Sequence, residues 1–121
     1  MSESKDISKR IASEERRLAK IFKDINEKRK ATTKGLIQRA AFMRVSLEDL
    51  EEDLSRNGFT EWFSQGDQEP YQRERPAAKI YNTMNVSYQK IVKQLTDLLP
   101  KTGQNLAAKP ETEGSDEFDR F

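Results

Sequence analysis

The sequence predicts an all-α protein: a helical hairpin preceded by an additional N-terminal amphipathic helix, followed by a disordered acidic C-terminal tail, and assembling into oligomers. Three observations predict this. Ala77, Ile80, Met84, Tyr88, Ile91, Leu95 and Leu98 recur at spacings of three and four between Pro76 and Pro100. That spacing puts them on one face of a delimited helix, because proline suits a first helical turn and cannot continue a helix it meets later. Leu36, Ala40, Met43, Leu47, Leu50 and Leu54 form a second seam with the alternating four-three spacing of a coiled coil. The 121 residues are 34% hydrophobic and 36% charged, a balance that suits extended, solvated helices better than a thick core.

Taken in order, residues 6–30 carry Ile7, Ile11, Leu18, Ile21, Phe22 and Ile25 on one stripe, interrupted at Glu14 and Glu15, and read as a first amphipathic helix. Lys28-Arg29-Lys30 is followed by Ala31-Thr32-Thr33-Lys34-Gly35. Two β-branched residues and a glycine lower helix propensity, so a bend or break is expected near 31–35, with a continuous helix as the alternative. The chain thus divides into a basic N-terminal helix or arm (1–33), a helical hairpin core (34–100) and a tail (101–121). The second helix is expected over 34–56. Ser46 and Asp49 have the spacing of a capping box, but the apolar seam passes through them in register, which favours one helix. Asn57-Gly58 ends it with a left-handed cap.

Residues 59–72 hold Phe59, Trp62, Phe63 and Tyr71 among Gly, Asp, Gln and Pro. They read as a loop with one short helical turn at 60–64, whose Trp62 and Phe63 either cover the crevice between the second and third helices or anchor another protein. The third helix, near 75–99, is expected antiparallel to the second. Its Asn82 and Thr83 lie off the stripe and suit surface or interface hydrogen bonds. Beyond Pro100 the apolar pattern stops, and Gly103, Pro110, Gly114 and Ser115 with an acidic excess predict disorder. The closing SDEFDRF sets Phe118 and Phe121 among acids, the pattern of a short docking motif or of a plain acidic terminus. A two-helix hairpin buries little, since a fully buried large side chain contributes only about 1.5–3 kcal/mol, so association through Ile80, Met84, Tyr88 and Ile91 is expected to supply the remainder.

The net charge of +1 conceals an asymmetry: residues 1–30 hold ten Lys/Arg against six Asp/Glu, and residues 101–121 hold three against five. With no cysteine and no histidine, disulfides, most metal sites and the familiar nucleophile–base pairs drop out. No glycine-rich phosphate loop is present. Glu48, Asp49, Glu51, Glu52 and Asp53 fall mostly on a solvated helical face, where nothing shifts a carboxylate toward catalysis. The sequence therefore predicts a soluble, intracellular non-enzyme without cofactors and without a membrane span. Lys28, Arg29, Lys30, Lys34 and Arg39 are the candidate nucleic-acid contacts, because phosphates are held chiefly by Lys and Arg; a solvated helical face is the plainer reading of the same run. Repetition around a symmetric oligomer would multiply weak contacts of this kind.

RERPAAKIYNTMNVSYQKIVKQLTDLLP, with GDQEPYQ before it and AAFMRVSLEDLEEDL upstream, resembles the P27-like small terminase subunits of phages. The resemblance covers residues 36–100 and is strongest at Arg75-Pro76, Tyr81-Asn82-Thr83, Tyr88 and Leu98-Leu99-Pro100. It implies a viral, non-enzymatic subunit in the cytoplasm of the infected host cell. Such a subunit binds double-stranded viral DNA, forms a homo-oligomeric ring and hands DNA to the large ATPase/nuclease subunit. Many such subunits carry a helix-turn-helix. Residues 1–30 show no compact turn, so contact through DNA shape and phosphates fits better than base readout. The alternative is a helical coiled-coil adaptor or structural protein without DNA binding, joined to its partner through Trp62, Phe63, the third-helix stripe, Phe118 and Phe121.

Overall fold

The computed structural model describes residues 2–100. The chain is mostly helical: α1 (Ser2–Ile21), α2 (Lys30–Asn57), strands β1 (Thr60–Phe63) and β2 (Tyr71–Glu74), and α3 (Pro76–Asp97). The central helix is α2, antiparallel to both neighbours. Arg10 of α1 reaches Glu48 and Asp49, whereas Tyr81 and Tyr88 of α3 reach Glu51 and Arg44.

A helix packed on two sides needs two apolar rows. The predicted seam supplies one, with Ala40, Leu47 and Leu54 buried. A second row at i, i+4 spacing, Thr33, Ile37, Ala41 and Val45, is buried as well. The core joins Leu18, Phe22 and Ile25 to Ile37, Ala40, Ala41 and Leu47 of α2 and to Tyr88, Ile91, Val92 and Leu95 of α3. Residues 1–33 therefore do not stand apart as an arm: α1 packs on α2, and the boundary expected at 33/34 falls inside the first turns of α2.

Two expectations are corrected. The first helix ends at Ile21 rather than residue 30, and the break lies at 22–29, not 31–35. Asn26 accepts a hydrogen bond from the Lys28 N–H at 2.9 Å and caps a single 3₁₀ turn, Glu27–Arg29. Burial of Thr33 and Ile37 outweighs the weak helix propensity of Thr32, Thr33 and Gly35, and the Thr33 hydroxyl is satisfied by the Arg29 carbonyl at 2.7 Å. Second, residues 59–72 form no helical turn. They contain most of an antiparallel β-hairpin in which Thr60 faces Glu74, Glu61 faces Arg73, Trp62 faces Gln72 and Phe63 faces Tyr71. Gly58 ends α2 where the capping signal placed the stop, but at φ 84° and ψ 175°, an extended positive-φ conformation that glycine adopts without strain rather than the expected left-handed helical one. Pro76 opens α3 at its first turn.

Candidate functional site

The hairpin end and the α1–α2 turn are the two places where charged and aromatic side chains concentrate. At the hairpin end the arginines are matched: Arg56, Arg73 and Arg75 each pair with a carboxylate. The Arg75 guanidinium donates to both Asp53 oxygens at 3.1 and 3.0 Å and to the Gly58 carbonyl at 2.8 Å, while its backbone N–H donates to the Phe59 carbonyl. One half-buried side chain thereby ties the end of α2 to the hairpin and to the start of α3. Hydrogen bonds from Asn57 and Arg75 hold the Asp53 carboxyl below its ordinary range. On one hairpin face Arg73 donates to Glu61 at 2.8 Å and lies 3.5 Å from the Phe63 ring centre, with Tyr71 edge-on to that ring. The carboxylates of α2 are likewise engaged: Glu48 and Asp49 by Arg10, Glu52 by Arg56 and Glu51 by the Tyr81 hydroxyl, whose acidity burial and Glu51 weaken.

At the opposite end the cations are not matched. Residues 16–39 contain nine Lys/Arg and two Asp/Glu. Among the described residues, Lys30 pairs with Glu27 at 2.8 Å and Arg17 with Glu14 at 2.6 Å, but Arg16, Lys20, Lys23, Lys28, Arg29, Lys34 and Arg39 form no salt bridge. Of the five predicted contacts, Lys28, Arg29 and Lys30 follow one another through the 3₁₀ turn into α2. Lys34 lies one turn further on the Lys30 face, and Arg39 sits about 140° around the helix from Lys34, given about 3.6 residues per turn. All five are exposed.

Between α1 and α2 at this end runs an open groove of about 520 Å³. Arg16 and Lys23 on one side and Lys30 and Lys34 on the other line it, over Ala19, Phe22, Thr33 and Ile37, with Glu15 its one carboxylate. The sequence reasoning missed Arg16 and Lys23. Arg16 lies on α1 and Lys23 in the connection just past its end, so no spacing within one helix joins them to Lys30 and Lys34.

The predicted association residues are scattered. Tyr88 and Ile91, expected at a partner interface, are 1% and 9% exposed inside the chain's own core, because α1 and α2 cover that half of α3. Trp62 does not cover the α2–α3 crevice: it stands 70% exposed on the hairpin. Phe63 is partly covered by Tyr71 and Arg73. Ile80 is half exposed, and with Met43 and Met84 it lines a shallow groove between α2 and α3. Phe118 and Phe121 lie outside the described residues. Among the described residues no helix is long and apolar enough to cross a membrane, and no group of three or more His, Cys, Asp or Glu is placed to hold a metal ion. No family model matches this sequence, and no curated protein or solved structure matches it.

Proposed function

We propose that this chain is a non-enzymatic, DNA-binding helical protein, the small subunit of a phage DNA-packaging motor, which contacts duplex phosphates through its basic end. The observation that supports this reading is the unmatched charge of the α1–α2 turn, set against an opposite end where Arg10, Arg44, Arg56, Arg73 and Arg75 each pair with a carboxylate. Solvated surfaces tend to intersperse their charges, and a pole of free Lys and Arg suits a polyanion. Lys28, Arg29, Lys30, Lys34 and Arg39 are the phosphate contacts, joined by Arg16 and Lys23. The antiparallel α1–α2 junction offers no recognition helix of the helix-turn-helix kind, so binding follows phosphate position and duplex shape. Oligomerisation would repeat the basic pole around a ring in the infected cell and present DNA to the large ATPase/nuclease subunit.

Replacing the five predicted contacts by serine tests the reading. Binding to duplex DNA is expected to collapse and the slope of log affinity against log salt to fall by about 4–5, at about 0.9 per phosphate contact. Circular dichroism should be unchanged. Duplex binding that survives, or that ignores salt, would refute it.

The exposed apolar side chains Phe42 and Ile80, beside the half-buried Met43 and Met84, favour a second reading, a helical adaptor without DNA binding. In that case Ile80→Glu would lower the mass measured by light scattering, with no duplex affinity to lose.

A further inference from the structure

We infer that the α1–α2 groove is a docking site for the chain's own acidic terminal segment, residues 115–121 (SDEFDRF), which seats Phe118 on the groove floor and its flanking acids on the cationic walls. The groove asks for a particular ligand. Its floor is mostly apolar, formed by Ala19, Phe22 and Ile37 with Thr33, and its walls carry Arg16 of α1, Lys23 just past the end of α1, and Lys30 and Lys34 of α2. A phosphate backbone satisfies the walls and leaves the floor wet. A ring flanked on both sides by carboxylates satisfies both, and the chain contains that pattern in Asp116-Glu117-Phe118-Asp119.

The path is short enough. Leu98 and Leu99 pack against the same core cluster that holds Phe22, Ile25 and Ile37, so the chain leaves α3 at the groove's end of the bundle. From Pro100 to Phe118 are 18 residues, which can span about 60 Å when extended. That exceeds the roughly 42 Å length of α2, at about 1.5 Å per residue. A tether of this length keeps the segment at high effective concentration near the groove, so modest intrinsic affinity is enough to occupy it. The occupied groove withholds Lys23, Lys30 and Lys34 from other anions. Docking itself is independent of the DNA-binding reading, since it requires only the groove and the segment.

The chain has no cysteine, so Gly114→Cys gives a single attachment point for a nitroxide label on the full-length protein. Paramagnetic broadening of backbone amide signals should concentrate on Ala19, Phe22, Thr33 and Ile37 at low salt. It should be lost in a Phe118→Ser/Phe121→Ser variant and in a Lys23→Glu/Lys34→Glu variant, whose substituted groove residues are exposed and leave the helical spectrum intact. Isotope-labelled protein without nitroxide, mixed with unlabelled nitroxide-bearing protein, should show no broadening. Broadening absent from the groove, unaffected by loss of the two phenylalanines, or as strong in the mixture as in the single chain, would overturn docking within the chain.

Discussion

Where α2 meets the hairpin, Asp53, Asn57, Gly58 and Arg75 form one closed set of hydrogen bonds; where α2 meets α1, Lys28, Arg29 and Lys34 face no carboxylate among the described residues. The same long helix carries both. The difference lies in what each pole does with a guanidinium or ammonium group. At the hairpin pole Arg56, Arg73 and Arg75 are fasteners, each satisfied by a carboxylate within 3.0 Å. At the turn pole they are left to solvent, where a positive charge adds little to folding and remains available to a ligand. Paired arginines and unpaired cations thus sit at opposite ends of one bundle, joined by a core that belongs to neither.

That core sets the largest expected effect. Tyr88→Ala should cost about 3–5 kcal/mol in urea denaturation, the usual range for emptying a large aromatic site, and should weaken both poles equally. A loss confined to one pole, seen as split transitions, would break the comparison. Next comes the fastener. Arg75→Ala leaves Asp53 and the Gly58 carbonyl without their shared donor and should cost about 1–3 kcal/mol, whereas Lys34→Ala should stay within about 0.5 kcal/mol. Equal costs would show that the two poles do not differ as described.

The pH dependence is a subtler probe. Asp53 has a depressed carboxyl pKa in the folded chain, so its contribution is present above the ordinary carboxylate value and is lost as pH falls through the folded one. The denaturation midpoint should therefore fall more steeply below about pH 4 in the native sequence than in Asp53→Asn. Parallel curves would remove Asp53 from the fastener. The smallest effect belongs to Trp62→Ala. An indole 70% exposed supports little of the fold, and the change should shift stability by no more than about 0.5 kcal/mol.

Much of the helical framework was legible because it rests on local chemistry. Pro76 marks the start of α3, Asn57-Gly58 the end of α2, and the Leu36-to-Leu54 seam runs through a single helix. The break between α1 and α2 was misplaced because propensity was weighed without burial. Thr33 and Gly35 are weak helix formers, yet the row through Thr33, Ile37, Ala41 and Val45 is held against a neighbour. Asn26, a good N-cap for the turn that opens at Glu27, was the overlooked start signal. The hairpin was missed because its strands are joined by residues 64–70 rather than by a two-residue turn of the Asn-Gly type. The face whose contacts hold it together mixes Glu61 and Arg73 with Phe63 and Tyr71, so strict apolar alternation was never present.

At the candidate site, Lys28 to Arg39 could be read from composition alone. Arg16 and Lys23 could not, because their partnership with Lys30 and Lys34 depends on which faces of two antiparallel helices meet. The stripe on α3 misled for the same reason: Tyr88 and Ile91 are covered by helices of their own chain, a possibility that spacing within one helix does not distinguish from a second molecule.

The segregation of paired and unpaired charge also has a kinetic consequence. A bundle with nine Lys/Arg against two Asp/Glu over residues 16–39, and with the α2 carboxylates Glu48 to Asp53 toward the other pole, carries a charge asymmetry along its long axis. In the field of a polyanion it turns the α1–α2 pole forward before any contact forms. Encounters would be productively oriented and fast at low ionic strength, and the advantage would fade as the screening length shrinks to about 8 Å near physiological salt.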